Sequence, residues 1–470
     1  MNSHIYYKTA GDKDLVMKNR KNNIILRLAK LINVVLISAL FYAVWHFYYS
    51  KHTVVPYYSK GQLFVLGLFV ALYFVLGQLY DAFLVSYYPI SQVVYSQALA
   101  ILISDVFMYI VIWLLAKKMP NLIPGLMTFA VQVFVSAVWA FIVQKWYFSV
   151  FKALRTIVIF DERKGLEEII KAEGYTKKFN VESVLPVEEC LSDMNVLSDA
   201  DTVFLSGVHS HDRNIILKYC IENSIRVMVI PRVGDVIMSS AKRMHLLHLP
   251  MLRVERFNPP LETLIIKRIF DIAVSLLALI VLSPIMIITA VLIKSYDHGP
   301  VFYKQTRLTK DGKVFDVIKF RSMREDAEKD GVARLSTGTA DERITPIGKI
   351  IRAVRIDELP QFFNVLSGDM SIVGPRPERP EIAAQYEEEM PEFRLRLQAK
   401  AGITGYAQVY GKYNTAPYDK LQMDLMYIAN FGLLQDLGIL FATVKILFMP
   451  ESTEGIEEGH ITAGDNKSDQ

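Results

Sequence analysis

Apolar positions in this chain are not spread evenly; they gather into long runs separated by ordinary amphipathic sequence. Three runs near the start, residues 31–50, 61–80 and 119–144, contain no Asp, Glu, Lys or Arg. Each supplies the roughly 20 apolar residues that a helix needs to cross a bilayer. A fourth, residues 98–116, is of similar length but carries Asp105 near its middle. An intramembrane carboxylate is costly, so Asp105 is expected to face the other helices or a polar neighbour, in a structural or a functional role. Trp45, Tyr48 and Tyr49 end the first run as interfacial anchors. Ahead of residue 31 stand seven basic residues against two acidic ones, which places the N-terminus in the cytoplasm, and four spans return the chain there at Lys145. The first run is too long for a secretory signal and lacks its small-residue cleavage site. The pattern therefore predicts a basic cytoplasmic segment over 1–30 and a four-helix transmembrane bundle over 31–148.

A fifth uncharged run, residues 272–293, has Ser283 and Pro284 at its centre. Proline removes a helix hydrogen bond and bends the axis. Both flanks are basic, with Lys267 and Arg268 before and Lys294, Lys304 and Arg307 after. Crossing and re-entrant courses both fit the length. A helix over 267–294 that enters, breaks at Ser283-Pro284 and leaves on the same side keeps both flanks inside, and the Ser283 hydroxyl can serve a freed backbone group.

Between the two apolar regions the period changes. Residues 156–160, 202–206 and 226–230 predict short buried strands, with helices over 164–173 and 212–223. Alternation of this kind predicts a small parallel, Rossmann-like α/β module over 152–258. Its first strand–helix turn is Asp161-Glu162-Arg163-Lys164-Gly165, without GxGxxG and with acids where phosphates would sit. The module is thus expected to be structural or regulatory, without a cofactor. Membrane enzymes that dehydrate nucleotide sugars would need that glycine loop and a Tyr-xxx-Lys pair, and no tyrosine here precedes lysine by four residues.

Composition sharpens the division. Hydrophobic residues are 52% of the 470, yet charged residues reach 21%, too apolar for a soluble globule and too charged for a transporter. About three domains fit this length. Two cysteines, Cys190 and Cys220, rule out a disulfide scaffold and are expected to pack in a reducing compartment. A net charge of +4 gives no reason to expect a nucleic-acid partner.

The chemistry is concentrated after the broken helix. Residues 300–324 hold seven basic side chains, among them Arg307, Lys319 and Arg321, against Asp311 and Asp316. Asp311-Gly312 between alternating runs predicts a hairpin, and the basic face suits either solvent or an anionic head group beside a membrane. Then comes Arg352-Ala353-Val354-Arg355-Ile356-Asp357-Glu358-Leu359-Pro360-Gln361. Asp357 can be read as the cap of a helix over 358–367 ended by Gly368. It can also be read, with Glu358, as a carboxylate pair that handles a phosphorylated substrate with a divalent cation; the two roles are compatible. Pro375 and Pro377 hold Arg376 rigid for a phosphate contact. Helices are expected over 418–427 and 433–448, the second interfacial because of Asp436 and Lys445. The acidic tail 450–470 has little to bury and is expected to be disordered.

Taken in order, these elements resemble the bacterial polyprenyl-phosphate hexose-1-phosphate transferases, the monotopic phosphoglycosyl transferases. The motifs are Lys267-Arg268-xx-Asp271, Ser283-Pro284, Gly299-Pro300-Val301-Phe302, Lys319-Phe320-Arg321-Ser322-Met323, Asp357-Glu358-Leu359-Pro360-Gln361, Gly374-Pro375-Arg376-Pro377 and Gly402-Ile403-Thr404-Gly405. They cover residues 263–449 and imply an α+β catalytic domain with a re-entrant membrane helix, in a multidomain membrane protein of the family's large type. The resemblance implies transfer of hexose-1-phosphate from a UDP-hexose to undecaprenyl phosphate, with UMP released, at the start of capsule or exopolysaccharide repeat units. It implies Asp357 as nucleophile, Glu358 as its partner near Mg²⁺, and Arg307, Lys319, Arg352 and Arg376 on the diphosphate and lipid phosphate. Asp424 falls on a further acidic position of the family, and Arg321 lies within a matching motif; both are expected at the substrate. Glucose is the first expectation for the sugar and galactose the second. The catalytic domain is expected on the cytoplasmic side of a bacterial plasma membrane, and a homodimer is compatible with the layout. A membrane scaffold of polysaccharide assembly, with Asp357 only a cap, is the non-enzymatic alternative. Two positions depart from the family pattern: Ala401 stands where proline is usual, and Lys412 where arginine is usual.

Overall fold

The first helices bury several polar side chains among their apolar ones and leave many large apolar residues exposed. The computed structural model describes residues 11–55, 58–116, 118–324, 343–411 and 415–447; Lys412 and the tail 450–470 lie outside them. Helices α1 (Gly11–Phe47), α2 (Ser59–Leu79), α3 (Ile90–Leu115) and α4 (Ile123–Val150) open the chain. Each of α1 and α3 packs on α2 and α4. Asn33, Gln97, Ser104, Gln132 and Ser136 are buried, while Phe64, Leu114 and Phe134 are exposed. Tyr73 Oη donates to Asn33 Oδ1 at 2.7 Å, and Gln144 Nε2 to the Tyr88 carbonyl at 2.8 Å. Such a distribution suits lipid as the outer solvent, where polar side chains bind helix to helix. Asp105 meets Gln132, the polar neighbour expected for it. Five helices of the described residues are long and apolar enough to cross a membrane, and the chain is a membrane protein.

The same compact unit, which ends at Ile230, holds a parallel sheet in the order β2-β1-β3-β4. Its strands are β1 (Leu154–Phe160), β2 (Phe179–Pro186), β3 (Thr202–Ser206) and β4 (Arg226–Val229), connected through α5 (Leu166–Ala172), α6 (Val187–Ser192) and α7 (Ser210–Glu222). Sequence pattern missed β2: an edge strand, it alternates in burial and contains Glu182 and Pro186. Cys190 and Cys220 are free and fully buried in the core with Ile159, Val203 and Ile216, as packing residues.

The second unit starts at Pro231, earlier than the boundary at 258 that periodicity predicts. Val233 and Val236 of α8 (Val233–Ser239) belong to the core of this unit, and the hairpin of β5 (Lys242–Leu246) and β6 (Leu249–Arg253) follows. Next comes α9 (Leu261–Asp297), with Pro284 inside it. Pro284 deprives the Ile280 carbonyl of its usual donor four residues on, and Ser283 Oγ donates to that carbonyl at 2.8 Å. On both sides of the proline Leu277, Ile280, Val281, Ile287 and Ile288 are well exposed, while Lys267, Asp271, Met286 and Ile293 are buried.

Both ends of α9 pack on this one unit. At the first, Lys267 Nζ bonds Asp436 Oδ2 (2.6 Å) and the Val373 carbonyl (3.1 Å). Asp271 Oδ1 accepts from Ser371 Oγ and Ile372 N–H, each at 3.0 Å. At the second, Met286 and Ile293 pack with Phe320 and Ile351. Asp436, expected to make its helix interfacial, is fully buried. The partner supplied by Lys267 is what permits the burial.

The remaining elements are β7 (Phe302–Leu308), β8 (Val314–Phe320), α10 (Pro346–Ala353), α11 (Gln361–Ser367), β9 (Ser371–Val373), α12 (Pro380–Glu389), β10 (Gly402–Thr404), α13 (Tyr406–Tyr410), α14 (Pro417–Ala429) and α15 (Leu433–Leu447). β7 and β8 form the predicted hairpin, with Asp311 and Gly312 both at positive φ. β9 pairs parallel with β10, so closely that a Cβ on Gly374 would collide with the Lys400 carbonyl. Val365, Ile372, Leu421, Leu425 and Tyr427 fill the core beneath.

Candidate active site

Asp357 and Glu358 occupy a 3₁₀ turn, Ile356–Glu358, between α10 and α11. Arg355 enters it at φ 55°, ψ 24°, a left-handed conformation that costs a non-glycine residue about 1–2 kcal/mol. The cap expected of Asp357 is not there. Helix α11 begins at Gln361, with Pro360 at the N-cap and no side-chain cap bond. Leu359 and Pro360 separate the carboxylate from the helix, so α11 gains no bond from it.

The two carboxylates have opposite surroundings. Glu358 Oε1 accepts from Lys319 Nζ at 3.0 Å and Arg376 Nη2 at 3.3 Å, and Arg355 lies 3.9 Å from Oε2. Burial alone would raise its pKa, but Lys319, Arg376 and Arg355 outweigh that and hold the carboxyl well below the usual range. Asp357 accepts no hydrogen bond from any described residue and is part-buried. Burial, with the Glu358 charge, pushes its carboxyl up to about 6, against the attraction of Lys319, Arg352 and Arg376. The pair thus holds one committed carboxylate and one that accepts no hydrogen bond from the described residues, ringed by cations from β8, α10 and the loop after β9.

Lys319 and Arg376 bond Glu358, and the charge of Arg352 acts on Asp357. Arg307 lies behind the proline loop, where Nη1 donates to the Pro377 carbonyl at 3.1 Å and Nη2 to Gln305 Oε1 at 2.5 Å. Two other expected site residues have ion-pair partners away from the dyad. Arg321 is drawn away to Asp297 at the end of α9 and is 8% exposed, so it joins β8 to the membrane helix. Asp424 is 1% exposed, and its Oδ2 takes two bonds from Arg396, Nε at 2.8 Å and Nη2 at 2.7 Å. No substrate reaches Asp424 unless that pair opens.

Arg396 was missed, and it is central. It also donates to the Arg376 carbonyl at 2.8 Å and lies 3.5 Å from Glu378, which fixes the loop that carries Arg376. Its sequence signal, an arginine within Phe393-Arg394-Leu395-Arg396, does not differ from an exposed one. Ala401, where the family pattern has proline, has a local reason: its N–H donates to Thr309 Oγ1 at 3.1 Å, a bond proline cannot make.

A magnesium ion is usually held by one or two carboxylates together with substrate phosphates and water. Among the described residues no group of three or more His, Cys, Asp or Glu side chains is placed to hold a metal. The Asp357 carboxylate, which no described residue bonds, lies adjacent to Glu358 and fits the sparser arrangement.

The family model for bacterial sugar transferases matches residues 262–450, a range that contains every residue of this site. Over 192 residues the chain is 45% identical to the exopolysaccharide production protein PSS of Rhizobium leguminosarum bv. phaseoli, covering 38% of this chain and 94% of that protein. The chain belongs to the bacterial sugar transferase family. It is also 44% identical over 185 residues to a UDP-N-acetylgalactosamine-undecaprenyl-phosphate N-acetylgalactosaminephosphotransferase of Aeromonas hydrophila, covering 39% of this chain and 43% of that protein. With the UDP-glucose:undecaprenyl-phosphate glucose-1-phosphate transferase of Klebsiella pneumoniae the identity is 41% over 206 residues, 42% of this chain and 44% of that one. The match thus spans less than half the length of these two transferases.

Proposed function

We propose that this protein transfers hexose-1-phosphate from a UDP-hexose to undecaprenyl phosphate and releases UMP, at the start of capsule or exopolysaccharide synthesis. The observation that carries the reading is an Asp357 carboxylate that accepts no hydrogen bond from the described residues, beside a Glu358 that three cations hold ionised. Asp357 attacks the phosphorus attached to the sugar; the bond to the UMP oxygen breaks, and the hexose phosphate is left on the carboxylate. An oxygen of the lipid phosphate then attacks the same phosphorus and frees Asp357. Lys319, Arg352 and Arg376 bear the charge of the phosphate oxygens, and the rigid Pro375-Arg376-Pro377 loop lowers the entropy of that contact. Asp357 and Glu358 would hold Mg²⁺ with the substrate phosphates, where it neutralises developing charge.

We further infer that the chemistry takes place at the cytoplasmic face of a bacterial plasma membrane, with four spans ahead of a Rossmann-like module and α9 re-entrant. A helix with both ends packed on one unit and exposed apolar residues at its proline dips into lipid and returns. Cysteines placed singly at the two flanks, near residues 262 and 298, are expected to react with a membrane-impermeant reagent from the same side. Labelling from opposite sides would sink the re-entrant course.

Purified protein with undecaprenyl phosphate, Mg²⁺ and UDP-glucose is expected to release UMP and to stop when the metal is chelated. Glucose is the first sugar to try and galactose the second; related transferases are named for N-acetylgalactosamine as well as glucose. No UMP from any of a panel of UDP-sugars would refute the reading, and turnover undiminished by chelation would refute the metal's part in it.

A further inference from the structure

Asn364 bears no charge and is buried within α11, 4% exposed. Its side-chain amide reaches the free edge of β8, a strand paired on its other side with β7. Oδ1 accepts the Ile318 N–H at 2.9 Å, and Nδ2 donates to the Asp316 carbonyl at 2.8 Å. One amide thus does for two backbone groups what a third strand would do, and neither is left unpaired. The next residue along β8 is Lys319, whose ammonium bonds Glu358 just ahead of α11. Two links therefore join β8 to the dyad segment, the Lys319–Glu358 pair at one level and the Asn364 amide at the next.

The backbone of the same residue controls a third segment. The Asn364 carbonyl accepts N–H bonds from Asp369 and Met370, each at 3.1 Å. Those bonds turn the chain from α11 into β9, and β9 leads to Arg376, the second donor to Glu358. Two of the three cations at Glu358, Lys319 and Arg376, thus lie on segments held by this one buried side chain or its carbonyl.

We propose that Asn364 is a positioning residue for the phosphate site, acting through Lys319. It sets the height of Lys319 against Glu358, which commits Glu358 to its cations. The catalytic consequence rests on the transferase reading above; the geometric one does not.

The test uses the full-length protein in detergent and has two parts. Acylation of lysines by a small amine reagent, followed by peptide mass spectrometry, reports how firmly Lys319 is held. In Asn364→Ala the Lys319 rate is expected to rise about tenfold, the size expected when a buried pair of hydrogen bonds is lost. The exposed Lys349 is expected to react as before. Asn364→Asp keeps the acceptor for Ile318 and loses the donor, so it is expected to fall between; it also decides the matter should the alanine variant not fold. An unchanged Lys319 rate in the folded variants overturns the proposal, whether or not the protein turns over. The second part is a cycle with Lys319→Met. If Asn364 acts through Lys319, Asn364→Ala lowers kcat in the wild-type background and has little effect in Lys319→Met. Losses that multiply in the double variant also overturn it. Absence of UMP release by the wild-type protein counts against the transferase reading alone, because the labelling result stands without turnover.

Discussion

Asp357→Asn is expected to lower UMP release at least about 10³-fold, the scale on which loss of a covalent nucleophile is felt. An amide is isosteric with the carboxylate but is a poor nucleophile at phosphorus. The same change is expected to leave thermal stability within about 0.5 kcal/mol of wild type. Asp357 accepts no hydrogen bond among the described residues and caps no helix, so none of their hydrogen bonds is lost. Turnover and melting temperature measured on the same preparation check both halves. Wild-type turnover by the asparagine variant would show that the carboxylate is not the group that carries the sugar phosphate. A loss of turnover matched by a loss of fold would instead make Asp357 structural, against the geometry of the 3₁₀ turn.

Arg396→Met is expected to produce the largest stability loss, about 3–5 kcal/mol, because it leaves a buried carboxylate without its cation. Asp424 is 1% exposed and Arg396 4%, so water cannot take over the role of the lost partner. A second substitution, Asp424→Leu in the same chain, removes the stranded charge and is expected to recover most of the loss. Activity should not recover with it. Arg396 also bonds the Arg376 carbonyl, and a displacement of about 1 Å at a phosphate ligand can cost about 10²-fold in rate. Denaturant midpoints of the single and double variants, read beside their kcat, separate the two roles. Full activity in the stabilised double variant would mean that Arg396 only balances a charge.

The parts of this protein that could be read in advance were those encoded over short distances. A run of about 20 apolar residues announces a membrane helix wherever it lies, and TM-length helices occur at all five such runs. Asp311-Gly312 specifies a hairpin because few residues tolerate two consecutive left-handed conformations. The edge strand β2 escaped because pairing on one side leaves half of its residues in water and weakens the apolar signal. The helix expected to start at Glu358 starts at Gln361 instead; Pro360 marked the place, but nothing local showed that the two carboxylates would be held in a tighter turn before it.

What the amino-acid sequence by itself determined was the membrane segments, the hairpin, the acidic dyad and, through the order of its motifs, the family. The tertiary structure decided which charges meet. Asp424 and Arg396 are 28 residues apart, Glu358 and Lys319 39, and Lys267 and Asp436 169. Arg321 and Asp424 have the same chemistry as the residues at the dyad, and packing brings them to Asp297 and Arg396 instead. The reason is physical. Hydrophobic period and turn preference act through neighbours along the chain, whereas the energy of a charge depends on the dielectric around it and on the partner brought to it. Both are properties of the assembled core, and they set Asp357 apart from the other carboxylates of its domain.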